Sequence, residues 1–223
     1  MDKDEAIVEL IKVFTGALSG EIDVFALADL AKNGVDSIHN YMFNRKLKMV
    51  LGELQRKGTV ERKVGKILAK SNYGPEYGYT LLHYIDQFEH IDKGRFLAYL
   101  LDATSKNFIT AEDCFRFCKI LNSVSLSSLY YLKQNITKRV LYEVDYSNKS
   151  CVNELLTNEL MYESYNNGYA FSLTAHYLDK YSLSYEDESR YRNYSEKMGD
   201  IPPLDKFPEE PERLVSGSIP YRG

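Results

Sequence analysis

Apolar residues recur at helical spacing along most of the first 135 positions. Ile7, Leu10, Ile11, Phe14 and Leu18 fall at i, i+3, i+4, i+7 and i+11, so residues 4–17 are predicted to form an amphipathic helix. Gly20 ends it, and Asp23 offers the N-cap of the next stretch. The helical pattern then continues to about residue 57, with Leu47, Val50, Leu51 and Leu54 on one face. Gly34 and Gly52 each weaken that stretch by roughly 1 kcal/mol relative to Ala, which allows a bend. A further helix over 60–69 precedes a turn-rich segment, 71–78, that holds Pro75. Residues 79–90 and 93–104 read as two more helices, the second turning Phe96, Leu97, Leu100 and Leu101 inward. Thr110 followed by Asp113 resembles a capping box, and Ser125 offers a cap for a short helix carrying Leu126, Leu129 and Leu132.

The period changes after residue 135. Val140, Tyr142, Val144 and Tyr146 alternate on one side, which predicts a strand over 139–146. Residues 150–160 return to helix through Val152, Leu155, Leu156 and Leu160. Asn167-Gly168 lies between Tyr-rich flanks at the centre of 161–174, a hairpin signal because both positions of a tight two-residue turn need positive φ. A short helix over 175–181 follows. The expected fold is therefore mostly α: a helical bundle with a C-terminal winged-helix-like unit, a small β-hairpin and a Pro-rich tail. Residues 1–110 form the helical N-terminal part, 111–181 the winged-helix-like part of the same domain, and 182–223 an extended tail. Five of the six prolines lie after residue 200, leaving the preceding helices free of kinks.

Composition narrows the classes. Apolar content of 44% is enough to build a core, so wholesale disorder is not expected. A net charge of −4 disfavours a chain built around nucleic acid. The longest apolar stretches, 120–132 and 164–178, are interrupted by Asn and Ser, so no transmembrane segment is expected. The acidic start and the odd count of three cysteines point to reduced thiols and a cytoplasmic location.

Sequence motifs for chemistry are sparse. His83, Asp86 and His90 share a helical face, yet a structural metal site wants a fourth ligand, and no metal or other cofactor is expected. Cys114 and Cys118 are four apart among aromatics, a spacing that fits buried thiols better than a redox pair. No phosphate-cradling Gly loop, Gly-x-Ser-x-Gly elbow or His-Glu-x-x-His occurs, so no catalytic residue is assigned and an enzyme is the less favoured class. The informative feature is basic. Nine Lys or Arg against Glu53 and Glu61 give residues 45–70 a local charge of +7. On one continuous helix, Arg45, Lys48, Arg56, Arg62, Lys63, Lys66 and Lys70 fall in one sector opposite the leucines, a surface for an acidic partner, nucleic acid or anionic lipid. The same charges also fit a plain solvated face. Residues 143–223 hold fifteen acidic and eight basic residues, so the tail, with Glu186, Asp187, Glu188, Glu209, Glu210 and Glu212, complements that surface on its own chain or, in a homodimer, on a neighbour. Helix 150–160 carries Glu154 and Glu159 and no Lys or Arg, which disfavours DNA reading there. Protein contact through Tyr162, Tyr165 and Tyr169 is the better expectation for the hairpin.

The run Lys93-Gly-Arg-Phe-Leu-Ala-Tyr-Leu-Leu-Asp-Ala, then Phe108-Ile-Thr-Ala-Glu-Asp, the stretch 121–132, and the ending Gly168-Tyr-Ala-Phe-Ser-Leu-Thr-Ala-His-Tyr-Leu resemble uncharacterised bacterial and prophage proteins of the abortive-infection (Abi-alpha-like) type. The resemblance is one of layout over residues 20–181 and carries no catalytic residue. It implies an accessory role in phage defence or superinfection immunity. The expectation is a non-enzymatic interaction protein with a protein partner, and the alternative is a binder of nucleic acid or anionic membrane through 45–70.

Overall fold

The structure, a computed structural model, describes residues 3–20, 38–59, 62–138, 140–164 and 168–187. The chain divides into two units, Met1–Glu188 and Ser189–Gly223, and everything described lies in the first. Its helices are α1 (Lys3–Leu18), α2 (Ile38–Arg56), α3 (Val64–Leu68), α4 (Tyr77–Gln87), α5 (Ile91–Ser105), α6 (Ala111–Ser123), α7 (Leu126–Asn135), α8 (Lys149–Thr157) and α9 (Leu173–Leu178). A two-stranded antiparallel ribbon, β1 (Met161–Ser164) and β2 (Gly168–Phe171), completes a mostly helical bundle. Among the described residues no helix is long and apolar enough to cross a membrane.

Helix α5 is the axis of the bundle. It packs on α2, α3 and α6, and all but three of its residues are buried. The predicted inward positions Phe96, Leu97, Leu100 and Leu101 are in this core, facing Leu47, Val50, Leu51 and Leu54 of α2. Close approach between the two helices requires Gly94, because a Cβ there would lie 3.2 Å from the Lys46 carbonyl oxygen. The buried alcohols of α5 are satisfied locally: Thr104 donates to the Leu100 carbonyl at 2.8 Å and Ser105 to that of Asp102 at 2.7 Å.

Caps set the helix starts. Thr110 caps α6 as expected, its Oγ1 accepting from the Asp113 amide at 3.1 Å, but the Asp113 carboxylate accepts from the Thr110 hydroxyl at 2.8 Å where a capping box would use the Thr110 amide. Ser125 caps α7, accepting from the Ser128 amide at 3.4 Å, and Glu154 of α8 reinforces that turn. The Glu154 carboxylate accepts from the Ser125 amide at 2.9 Å and from the Ser125 and Ser128 hydroxyls. Burial alone would raise its pKa, but the bonds from Ser125 and Ser128 outweigh burial and hold it below the ordinary value. Glu154 thus has a structural task, tying α8 to α7, and the observed α8 begins one residue earlier than expected, at Lys149.

The order helix, helix, strand position, helix, hairpin, helix over 111–178 follows the expected winged-helix-like layout, with three differences. The strand predicted over 139–146 is reduced to one bridge, Leu141 to Tyr169, closed by N···O distances of 2.8 and 2.9 Å. Its alternation is also inverted, because Leu141 is buried while Tyr142 and Tyr146 face solvent. Gly168 is not a turn residue. It pairs with Ser164 inside the ribbon, and it must be glycine because a Cβ would come within 2.5 Å of Val140 Cγ1. Finally, residues 182–187, expected in the tail, belong to the bundle: α9 runs into a π-helical turn, Asp179–Leu183, whose Ser182 and Leu183 are buried.

Candidate functional site

The seven basic candidates do not share a face. The further helix predicted over 60–69 begins only at Val64, and two left-handed residues, Gly58 at φ 65° and Lys63 at φ 55°, stand between it and α2. Thr59 turns inward there and is fully buried, its amide donating to the Leu54 carbonyl at 2.9 Å. A helical wheel drawn through 45–70 therefore fails at this point. Arg45, Lys48 and Arg56 remain on the outer face of α2, where with Met49, Gly52 and Glu53 they line an open groove of about 500 Å³. Gly52 keeps its floor low, as nothing lies within 4 Å of where a Cβ would stand. Arg62 leaves the set, reaching inward to the Asp102 carboxylate. Lys63, Lys66 and Lys70 are exposed at and after α3, away from the groove lining.

At the Arg56 end of α2 lies a cleft that the helical pattern does not reveal. Asp102 of α5 is fully buried and accepts from Thr59 Oγ1 at 2.6 Å, from Lys106 Nζ at 2.8 Å, from the Tyr185 hydroxyl at 2.7 Å and from Arg62. Burial alone would raise its pKa, but the bonds from Lys106, Thr59 and Tyr185 overcome it and keep the carboxylate ionised below its usual range. The Tyr185 ring sits 5.5 Å from the Tyr99 ring, with the Lys57 and Lys106 ammonium groups each 5.4 Å from its centroid. The next residue, Glu186, is paired with Arg56, with Lys57 at 2.7 Å and with the Tyr99 hydroxyl at 2.9 Å. Hydrogen bonds from Lys57 and Arg56 depress the Glu186 pKa to about 2, and the same contact raises that of Arg56. Tyr99 is pushed up by burial and by its bond to Glu186.

Of the acids expected to meet the basic segment, Glu186 does so, at Arg56 and Lys57, while Glu188, Glu209, Glu210 and Glu212 lie outside the described residues. Of the residues in this cleft the sequence reading named Arg56, Arg62 and Glu186, and missed Lys57, Tyr99, Asp102, Lys106 and Tyr185. A signal existed: Asp102 interrupts the apolar run from Leu97 to Ala103 on a buried helix, and Lys106 follows it by one turn.

The other candidates separate into individual roles. His83 is exposed and stacks on Tyr79 at 6.3 Å, while His90 caps α5 by accepting from the Asp92 amide at 3.2 Å. The Asp86 and Phe88 carbonyls receive the buried Lys46 ammonium, whose pKa burial lowers. Among the described residues no three His, Cys, Asp or Glu side chains gather to hold a metal ion. Cys114 and Cys118 are buried, and burial together with Cys114 pushes the Cys118 thiol well up, away from the reactive thiolate. Cys151 is half-buried. The tyrosine patch of the hairpin does not form as expected. Tyr162 pairs with Ala170 and Tyr169 with Glu163, which places the two tyrosines on opposite faces of the ribbon, and Tyr165 lies outside the described residues. Comparison with protein-family models, with curated proteins and with solved structures found no match for this chain.

Proposed function

We propose that the chain is a non-enzymatic interaction protein that docks an acidic segment of a protein partner along the outer face of α2. The observation that carries this reading is the Glu186 carboxylate paired with Arg56, one of the residues that line the groove with Arg45 and Lys48. One groove cation, Arg56, therefore already holds a carboxylate, and the other two, Arg45 and Lys48, line the same open surface. Arg45 keeps its guanidinium 5.8 Å over the Tyr41 ring, which orients it without neutralising it. Glu53, in the groove lining, pairs with Arg56 at 2.6 Å and with Arg95 at 3.5 Å, an acid that opposes a phosphate backbone more than a side chain able to choose its contacts. The setting supported by the layout resemblance is a bacterial or phage conflict system, in which this chain is an accessory or immunity component.

The test is binding of a glutamate-rich peptide, of duplex DNA and of anionic phosphatidylserine vesicles across a salt series. The account expects peptide binding that weakens with salt and is lost in Arg45→Glu/Lys48→Glu. Salt-steep binding of DNA or vesicles with no peptide binding overturns it in favour of a polyanion surface.

A further inference from the structure

Glu186 and Tyr185 are held as a ligand is held. Each oxygen of the Glu186 carboxylate has its own donors, Arg56 and Lys57 on one and the Tyr99 hydroxyl on the other. The Tyr185 ring has an aromatic wall and two flanking ammonium groups, and its hydroxyl both donates to Asp102 and accepts from Lys106 at 3.1 Å. The two residues do this outside any helix or strand. Their anchor is just upstream. Leu183 is buried and its carbonyl accepts from Lys133 at 2.6 Å, and the Ser184 hydroxyl donates to Asp179 at 2.8 Å. Beyond that anchor the contact opens to solvent, with 44% of the Glu186 side chain and 52% of that of Arg56 exposed. So exposed an ion pair is individually weak. The main cost of release is the Tyr185 hydrogen bond to Asp102, which an incoming tyrosine restores, and the buried turn behind it keeps its own contacts.

We propose that the cleft formed by Arg56, Lys57, Tyr99, Asp102 and Lys106 is a recognition site for an aromatic–acidic residue pair. The chain's own Tyr185–Glu186 closes it in cis, and an acidic partner segment bearing the same pair displaces them. The proposal rests on the reading of the α2 face as a docking surface for acidic protein, since Arg56 belongs to both. Arg56, Lys57, Arg62 and Lys106 are ion-paired with Glu53, Asp102 and Glu186, so removing Glu186 takes one of three acids from four cations and the vacated cleft attracts a carboxylate. Asp102 and Lys106 together specify a ring bearing a hydroxyl, because a phenylalanine would leave the buried carboxylate one donor short.

A fluorescent peptide with the sequence of residues 183–187, Leu-Ser-Tyr-Glu-Asp, titrated against the full chain tests this. A short tether keeps the cis pair at an effective concentration on the order of millimolar, so Tyr185→Ala/Glu186→Gln is expected to bind the peptide at least about tenfold more tightly than the wild type. Glu186→Gln alone, which retains the Tyr185 contacts, should fall between them. Adding Lys57→Ala to the double variant, or replacing the peptide glutamate by glutamine, should abolish the gain. Equal affinity of wild type and double variant, with unchanged circular dichroism, overturns the proposal, as does a gain that survives Lys57→Ala. A glutamate-rich peptide is titrated in parallel. If its binding does not depend on Arg45 and Lys48 the docking reading falls while the pair site stands, and the reverse pattern removes the pair site alone.

Discussion

Replacing Asp102 by Ala tests the hub that ties α5, the α2–α3 connection and residue 185 together. The wild-type carboxylate is fully buried and accepts from Thr59, Arg62, Lys106 and Tyr185. Breaking a buried ion pair by removing one partner costs about 3–5 kcal/mol because the other charge is stranded. Here the stranded cations keep an outlet, with about a third of the Arg62 and Lys106 side chains exposed, whereas the Thr59 hydroxyl has none. The expected loss is therefore near the lower end, about 3 kcal/mol, read as a fall in the urea midpoint at constant m. The sign with pH follows from the depressed carboxyl pKa. Its contribution is complete above the ordinary value of 3.8 and is lost as pH falls through the lower folded-state value. The gap between wild type and Asp102→Ala must accordingly close in acid. A loss below about 1 kcal/mol at neutral pH, or a gap that is unchanged in acid, refutes the assignment of Asp102 as the hub.

Gly168→Ala places a methyl 2.5 Å from Val140 Cγ1 and 3.2 Å from Tyr142 Cδ1, so it should destabilise the ribbon by about 1–3 kcal/mol in the same urea assay, and a neutral result would mean that the 140–142 segment yields freely. His176 has its pKa lowered to about 4 by burial. Its neutral form is the one the fold accepts, so stability is lost as pH falls from the ordinary 6.5 toward 4, and its imidazole proton shifts in NMR should show a midpoint near 4. A midpoint near 6.5 would place the ring in solvent.

Much of the bundle was legible because helical periodicity and caps are local signals. Leu47, Val50, Leu51 and Leu54 are buried as their spacing requires, and Thr110 and Ser125 form the caps read from sequence. What failed was long-range or conformational. The wheel through 45–70 assumed an unbroken helix, yet Thr59 leaves α2 and bonds Asp102, 43 residues away, a partner invisible to periodicity. Asn167-Gly168 was read as a two-residue turn, but Gly168 is fixed by the space Val140 leaves, and pairing it with Ser164 sets a three-residue connection. The site shows the same division. Net charge complementarity pointed to the tail meeting the basic segment, while the particular pair, Tyr185 and Glu186, depends on where the π-helical turn after α9 delivers them.

The central claim is that the outer face of α2 receives acidic protein, and residue-resolved NMR of the full chain during titration with a glutamate-rich peptide addresses it most directly. The account predicts amide shifts that move together with peptide concentration at Arg45, Lys48, Gly52 and Arg56, extend to Lys57 and Glu186, and spare Lys63, Lys66 and Lys70. Shifts confined to those three lysines or to the exposed Tyr142, Tyr146 and Tyr162, or no shifts on α2 at peptide saturation, would contradict it.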